Sequence, residues 1–464
     1  MSDREELPVP SNPMAVARRL LPSWQNENQR LVCRRWRGSW MRWTGTCWRE
    51  LDDQQMRSSL YKRLEYAIYS VPGKDGQPEI RDWAPTKQKI SNLLDALGAI
   101  TLLPTDTDAP SWVEQDAAGK DSSPIVACEN GLLRIRDRAL LPHTPGFFNL
   151  VSVPFHYDPA ATAPTWERFL RQIWPDDQAA LDALQEWFGY VLSGRTDQQK
   201  ILLIKGPSRS GKGTIARVLK ELVGRENLAG PTLAGLGSNF GLSTLLGKPL
   251  AVISDARLSG KDGGQVVERL LTISGEDTID IDRKFRDPWT GKLPTRLMIL
   301  TNELPSFGDS SGVIARRFIV LNMTVSWLGK EDTNLTDKLA AEMPGILNWA
   351  LEGLARLQRI GRITDPPSSQ EAVITMQDTA SPTSAFIRER CTVGAACEVP
   401  VDTLWAVWRE WAEDNGVRAV GTKQMFGRNL LSVVPQLHRA RPRDAYGRQV
   451  PTYTGITLTP SDRR

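Results

Sequence analysis

Paired cysteines, clustered histidines and long apolar runs are all missing from this chain. The five cysteines (Cys33, Cys47, Cys128, Cys391, Cys397) are an odd number with no C-x-x-C pair, and the only histidines are His143, His156 and His438. Residues so scattered leave a zinc centre too few ligands at usable spacing, and a reducing cytosol is the default expectation. No apolar run approaches the roughly 18 residues of a membrane span. The opening Met-Ser-Asp-Arg-Glu-Glu also lacks the charged-then-apolar order of a leader, so no membrane partner is expected. Charge of one sign is scarcely in excess: 58 Lys+Arg against 54 Asp+Glu, net +4. That balance permits a nucleic-acid partner without demonstrating one. No repeat or low-complexity tract interrupts the 464 residues, a length for two to four domains at roughly 100–200 residues each.

Tryptophan, by contrast, is abundant, with 16 residues, clustered near both ends at 24–48 and 405–411 and spread more thinly between. From Leu31 the text LVCRRWRGSWMRWTGTCWREL alternates around Gly38 and Gly45, which predicts short strands and tight turns. Tryptophans among arginines could stack on single-stranded nucleic acid, or could simply fill a small sheet with the arginines outside. Helices are predicted over 51–71 and 86–99, an Asn130-Gly131 turn within a strand pair, and a helix capped by Asp176-Asp177. A further helix is predicted over 334–359.

The loudest stretch is KGPSRSGKGT, residues 205–214, between the apolar run Ile201–Ile204 and the apolar start of a helix. It fits the phosphate-loop pattern G-x-x-x-x-G-K-[ST] with one slip: Gly213 follows the lysine, and the hydroxyl arrives at Thr214. The candidate nucleotide-binding set is Gly206, Pro207, Ser208, Arg209, Ser210, Gly211, Lys212, Gly213 and Thr214. Backbone N–H groups and the helix N-terminus would surround the β-phosphate, and Lys212 would reach the β- and γ-phosphates. ATP with Mg²⁺ is the implied cofactor, the metal being assigned to Thr214 and Asp255.

Asp255 ends a second apolar strand from Pro249, as a metal-orienting carboxylate must. A third strand, Arg296 to Thr301, ends at Asn302, whose amide could hold the attacking water or could belong to an ordinary turn. Arg316-Arg317 precede a fourth strand and are either surface charge or a finger reaching the next subunit's ATP. Phosphate loop, strand-end acid, strand-end Asn and arginine in that order is the layout of a ring-forming ATPase. Small-molecule kinases carry their loop near the start of the chain, whereas about 200 residues precede this one.

Between acid and Asn lies GEDTIDIDRKFR, a strand with a basic tip and a return. It resembles the motif that superfamily 3 helicases insert there, a hairpin whose tip grips DNA in the ring's pore. The resemblance assigns DNA contact to Arg283, Lys284 and Arg286. More closely, GEDTIDIDRKFR, LTNELPSFGDSSGVIARRFIVL and PGILNWALEGLARL resemble the helicase part of phage and plasmid primase-helicases, the group that includes the poxvirus primase-helicase. The upstream ENGLLRIRDRALLPHTP, PTWERFLRQIW and LQEWFGYVLSG resemble that group's helicase-associated domain, so the likeness covers about 30–460. Two departures stand out. Ser254 replaces the first of the usual two acids, leaving Glu276 or Glu268 as candidate bases. The stretch ahead of the ATPase is also too short for a primase domain, so a helicase without its own primase is expected.

Near the end, Thr403–Trp411 and Thr422–Leu431 predict two helices, followed by two strands about Ala445-Tyr446-Gly447. Helix, helix, basic hairpin is the plan of a winged helix, with Lys423 and Arg428 for a major groove and Arg439, Arg441, Arg443 and Arg448 for phosphates. A helical cap whose wing mediates subunit contacts is the alternative.

The expected fold is thus α/β: an AAA+-like P-loop ATPase core with an α+β N-terminal domain and a C-terminal winged-helix domain. The expected division is an arm over 1–30, a helicase-associated domain over 31–158, the ATPase over 159–365, a linker over 366–384 and a winged helix over 385–464. The expected function is an ATP-dependent DNA helicase of a phage, prophage or plasmid, acting as a homo-oligomer, a hexamer by resemblance, in the cytoplasm of a bacterial host. Its partners would be single-stranded and forked DNA and a separate primase or polymerase. The rival is an ATP-dependent initiator or loader that binds DNA without processive unwinding.

Overall fold

The computed structural model describes residues 4–73, 77–104, 106–107, 109–114, 124–254, 263–284, 286–305, 307, 312–417, 420–443 and 446–459. Strands β1 (Cys33–Trp36), β2 (Ser39–Trp43) and β3 (Trp48–Leu51) form an antiparallel sheet. Arg37 and Gly38, at φ 44° and 76°, make the two-residue turn between β1 and β2, a left-handed pair that glycine eases. Trp40 and Trp48 are buried and Trp36 is half-buried, while Arg34 pairs with Glu114 at 2.8 Å.

Helices α1 (Pro13–Leu20), α2 (Asp53–Leu64) and α3 (Lys87–Ile100) begin at side-chain caps Asn12, Asp52 and Thr86. Val16 and Leu20, Met56 and Leu60, and Ile90 and Leu97 close one core with Trp40. The expected arm over 1–30 is therefore corrected in part. Helix α1 belongs to this core because its apolar face meets α3. The helix expected to reach 71 ends at Leu64, and β4 (Ile68–Pro72) pairs with β5 (Pro78–Asp82) instead. Next come β6 (Ser111–Trp112), β7 (Ile125–Cys128), β8 (Gly131–Arg134), β9 (Leu140–Leu141) and β10 (Phe147–Phe148). Cys128 pairs with Gly131, so the turn is Glu129-Asn130 and the glycine opens β8.

Helices α4 (Pro164–Ile173) and α5 (Gln178–Leu192) lead into the central block. It runs β11 (Ile201–Lys205), α6 (Lys212–Val223), β12 (Leu228–Ala229), α7 (Leu233–Leu236), β13 (Leu250–Ser254) and α8 (Gly263–Gly275). A hairpin follows, β14 (Ile279–Arg283) and β15 (Arg286–Gly291), then β16 (Arg296–Thr301) and β17 (Phe318–Asn322). The five-stranded sheet has order β12-β13-β16-β11-β17 with every neighbour parallel. Its strands read as unbroken apolar runs because both faces are covered. Leu202 and Ile204 face α5 and α6, and Ile201 and Leu203 face α8.

The helix expected over 334–359 is two, α9 (Leu335–Ala341) and α10 (Met343–Ile360). Pro344 has no N–H to continue α9, so it opens α10. Glu342, at the break, accepts hydrogen bonds from the Thr165 and Trp166 N–H groups at 3.0 Å and so caps α4. Helices α5 and α10 touch backbone to backbone: a Cβ on Gly189 would meet the Ala350 oxygen at 2.4 Å. Beneath them Glu186, fully buried, takes the Arg356 guanidinium at 2.7 Å and the Thr364 N–H at 2.6 Å.

The linker expected over 366–384 is instead α11 (Pro367–Ala380) and the start of α12 (Pro382–Arg390). Ala372 and Met376, one helical turn apart, bury against the central sheet, and the Val320 N–H donates to Ser369 Oγ at 2.9 Å. The last unit comprises β18 (Cys391–Pro400), α13 (Val401–Asp414), α14 (Lys423–Val433), β19 (His438–Ala440) and β20 (Thr452–Leu458). Its antiparallel sheet has order β18-β20-β19. Phe386, Trp408, Trp411 and Phe426 form its aromatic core, with Trp408 stacked on Phe426 at 5.0 Å.

Candidate functional site

All nine residues of the expected nucleotide set lie on the connection from β11 to α6 or in the first turn of α6. Arg209 and Gly211 have φ 59° and 102°, a left-handed bend that turns successive N–H groups to one side of the loop. Glycine is required at Gly206, where a Cβ would lie 2.7 Å from Met323 Cβ and 2.9 Å from Ser210 Oγ. The segment after β17 clamps the loop from outside. Met323 N–H donates to the Lys205 carbonyl at 2.7 Å, Ser326 Oγ to Ser208 O at 2.8 Å and Trp327 N–H to Arg209 O at 2.9 Å. Nothing in the motif pointed to this clamp, since its partners lie over a hundred residues downstream.

Lys212 Nζ donates to the carbonyls of Gly206 at 2.5 Å and Pro207 at 2.7 Å, and to Asn302 Oδ1 at 3.1 Å. Partial burial lowers its pKa below the ordinary lysine value. Asn302 arrives there because β16 is the parallel neighbour of β11, and the Gly206 N–H bonds Thr301 O at 3.1 Å. Loop, helix N-terminus and ammonium form a donor set that suits a polyphosphate.

The magnesium side fits less well. Thr214 Oγ1 accepts from Arg217 at 3.3 Å along α6. One residue beyond position 213 turns the side chain by about 100° around a helix, away from where the motif's hydroxyl stands. A Cβ at Gly213 would meet nothing within 4 Å. Asp255 lies outside the described residues; Ser254, the last residue of β13, pairs with Leu300.

Glu276 stands away from the phosphate loop. Its carboxylate accepts from Thr196 Oγ1 at 2.5 Å, and neighbouring Gly275 takes a bond from Gln199 at 3.3 Å. Both partners precede β11, at the opposite end of the sheet from the phosphate loop. The cause is the crossover itself: α8 runs back against the strands, so its C-terminus arrives at their N-terminal ends. Glu268 lies exposed on the same helix. Arg316 and Arg317 are at that far end too, just before β17, about 13 Å of strand from the loop. Arg317 donates to Gln199 Oε1 at 2.5 Å, and Arg316 is exposed. The chain's own loop is therefore out of reach of both.

The hairpin forms as expected in backbone terms, Arg283 pairing with Arg286 across the Lys284 turn; the Arg286 side chain is outside the described residues. Ile279, Ile281 and Trp289 anchor its base in the core. In the last unit Lys423 is ion-paired with Asp402, and Arg439 lies 6.0 Å from the Tyr453 ring. Arg428, Arg441 and Arg443 are exposed. One residue went unread in the sequence: Arg296 is fully buried, donating to the carbonyls of Val191 at 2.6 Å, Gly194 at 3.2 Å and Pro294 at 2.6 Å, and burial pulls its pKa down to about 10.

Three family models match the chain in succession. "D5 N terminal like" covers 17–175, a family of unknown function (DUF5906) covers 204–317, and "Poxvirus D5 protein-like" covers 379–452. Among solved structures, an apo structure of the NrS-1 C-terminal region aligns with a TM-score of 0.54 at 13% identity, covering 96% of this chain and 99% of that one. Its A form aligns at 0.51 and 13%, covering 91% and 97%. The chain is thus similar to D5-type proteins near both ends, and it shares its fold with the NrS-1 C-terminal region. The first D5 match spans the N-terminal sheets and α4, and the second runs from the end of α11 through α12, β18, α13, α14 and β19 to the first residue of β20. The phosphate loop and Asn302 lie inside the match of unknown function.

Proposed function

We propose that the chain is an ATP-dependent, ring-forming DNA helicase serving replication of a phage or other mobile element. In this reading the central block is an AAA+-like P-loop ATPase, and the unit with sheet order β18-β20-β19 is a winged helix that holds duplex DNA. One observation carries it: Lys212 is joined to Asn302 at one end of the parallel sheet while Arg316 and Arg317 stand at the other. A hydrolysis site so divided is completed by a neighbour presenting its arginines, which favours a closed ring.

When bound, ATP with magnesium supplies the phosphoanhydride bond whose cleavage drives movement. Lys212 would exchange its loop carbonyls for phosphate oxygens, and that exchange would release Asn302 to orient water. Asp255 is the proposed metal carboxylate. Arg283 and Lys284 at the hairpin turn would hold one strand of a fork, with Arg428, Arg441 and Arg443 on phosphates of the duplex. A host cytoplasm and a primase or polymerase acting in trans complete the proposal.

The test is forked-duplex unwinding by wild type, Lys212→Ala and an Arg283→Ala/Lys284→Ala double variant, with solution mass measured with and without ATP and DNA. Both variants should fail to unwind, and mass should rise to that of a ring. Unwinding by either variant at the wild-type rate overturns the assignment. Hydrolysis and DNA binding without unwinding by wild type would instead make the chain an initiator or loader.

A further inference from the structure

A cavity of about 690 Å³ opens between the N-terminal sheet, the base of the β14–β15 hairpin and the loop before β13. That volume falls in the range of small-molecule sites, about 300–1,000 Å³. It is remote from the phosphate loop: its wall includes Thr196 and Glu276, at the N-terminal ends of the parallel strands.

Its lining combines indoles with cations. The Arg37 guanidinium lies 4.7 Å from the Trp36 ring and 5.8 Å from the Trp289 ring, bridging the β1–β2 turn to the hairpin. Arg283 reaches the same turn, its terminal nitrogen 3.9 Å from where a Cβ on Gly38 would be. Exposed Lys292 adds positive charge, as does Lys248, whose ammonium donates to the Glu226 carbonyl. The carboxylates on the wall are engaged: Glu226 with Arg49 at 3.0 Å, Glu276 with Thr196 at 2.5 Å, and Glu50 with Ser39 at 2.9 Å. Trp48 is 1% exposed, and its indole N–H finds no hydrogen-bond partner among the described residues. A buried donor without a partner costs about 1–3 kcal/mol.

We propose that this cavity binds a nucleotide unit, a flat base with its phosphate, at a second site that the ATPase reaction does not use. The half-buried Trp36 indole and the Arg37 plane take the base by stacking, and Arg37 and exposed Lys292 take the phosphate. The unit can come from a free nucleoside monophosphate or from a single strand running past the hairpin. The site's existence does not depend on unwinding.

The experiment uses the full chain carrying Lys212→Ala, so that the phosphate loop contributes little. Thymidine 5′-monophosphate and a 20-nucleotide oligothymidine are titrated separately, with tryptophan quenching as the readout. Adding Arg37→Ala with Lys292→Ala is expected to weaken binding about tenfold with the melting temperature unchanged. The pair Arg37→Lys with Lys292→Arg should restore the salt dependence that the two charges supply, but not the part of the affinity that comes from stacking on the Arg37 plane. For the strand, losing two phosphate contacts should flatten the log–log salt dependence by about 1.4. Lys292→Glu alone, at an exposed position, should act in the same direction should the alanine pair fold poorly. Binding of the strand alone identifies a strand as the source, and equal response to the monophosphate identifies a free nucleotide. If neither probe is weakened by these substitutions, the cavity is not a nucleotide site.

Discussion

Lys212 and Asn302 are 90 positions apart in the chain and 3.1 Å apart in the fold. The contact exists because a parallel crossover brings the end of β16 beside the end of β11. The pair couples the group expected to hold a phosphate to the group expected to hold water, so a change at one should be felt at the other.

Replacing either partner should therefore separate binding from turnover. Lys212→Ala is expected to lower ATP hydrolysis by about 10²–10³, the loss seen when a single charge-stabilising donor is removed. Asn302→Ala should lower kcat by about a hundredfold with nucleotide affinity nearly kept, because Lys212 can still exchange its two carbonyl partners for phosphate oxygens. Steady-state hydrolysis beside fluorescent-nucleotide binding measures both. Equal losses of affinity and kcat in Asn302→Ala would contradict the division of roles.

The glycine after the lysine offers a gain-of-function test. Space for a side chain is open at Gly213, and serine is favoured over glycine in a helix by roughly 0.5 kcal/mol. Gly213→Ser should fold at least as well as wild type and lower the magnesium concentration that half-saturates hydrolysis. Thr214→Val should leave that concentration within twofold, since its hydroxyl serves Arg217.

Stability should depend sharply on the α5–α10 contact. Gly189→Ala drives a methyl into the Ala350 carbonyl and is expected to cost about 1–3 kcal/mol. Arg356→Ala leaves Glu186 buried without its cation, a loss of about 3–5 kcal/mol. Urea unfolding would measure both, and a change below about 0.5 kcal/mol at either site would show that these helices separate before the transition.

Alkaline pH should weaken the fold through two thiols. Burial pushes Cys33 and Cys128 up to about 12, from 9.0 when unfolded. Between those values the folded chain keeps protons that the unfolded chain has lost. Their contribution is thus complete below pH 9 and declines as pH rises toward 12. A Cys33→Ala/Cys128→Ala variant should show a shallower alkaline decline in urea midpoint. At pH 8 a thiol reagent should modify half-buried Cys397 before either of them.

What could be read without coordinates was whatever depends on neighbours in the chain. The phosphate loop, the apolar strand before it and the helix after it, the basic hairpin and the Asp177 cap of α5 are local patterns of spacing and side-chain type. Residues 367–380 misled because Pro-Pro-Ser-Ser resembles a boundary, while the apolar pair Ala372 and Met376 that makes a helix is short and weak as a pattern. Glu276 misled differently. It was placed by order along the chain, and order does not say at which end of a parallel sheet a returning helix stops. Tertiary structure alone decided that Thr214 turns to Arg217, that Arg296 fills with carbonyls instead of a carboxylate, and that Arg37 lies between Trp36 and Trp289. The physical reason is common to all three. Local sequence sets φ, ψ and amphipathic faces, but which charges and rings meet is set by how the crossovers stack one layer on another.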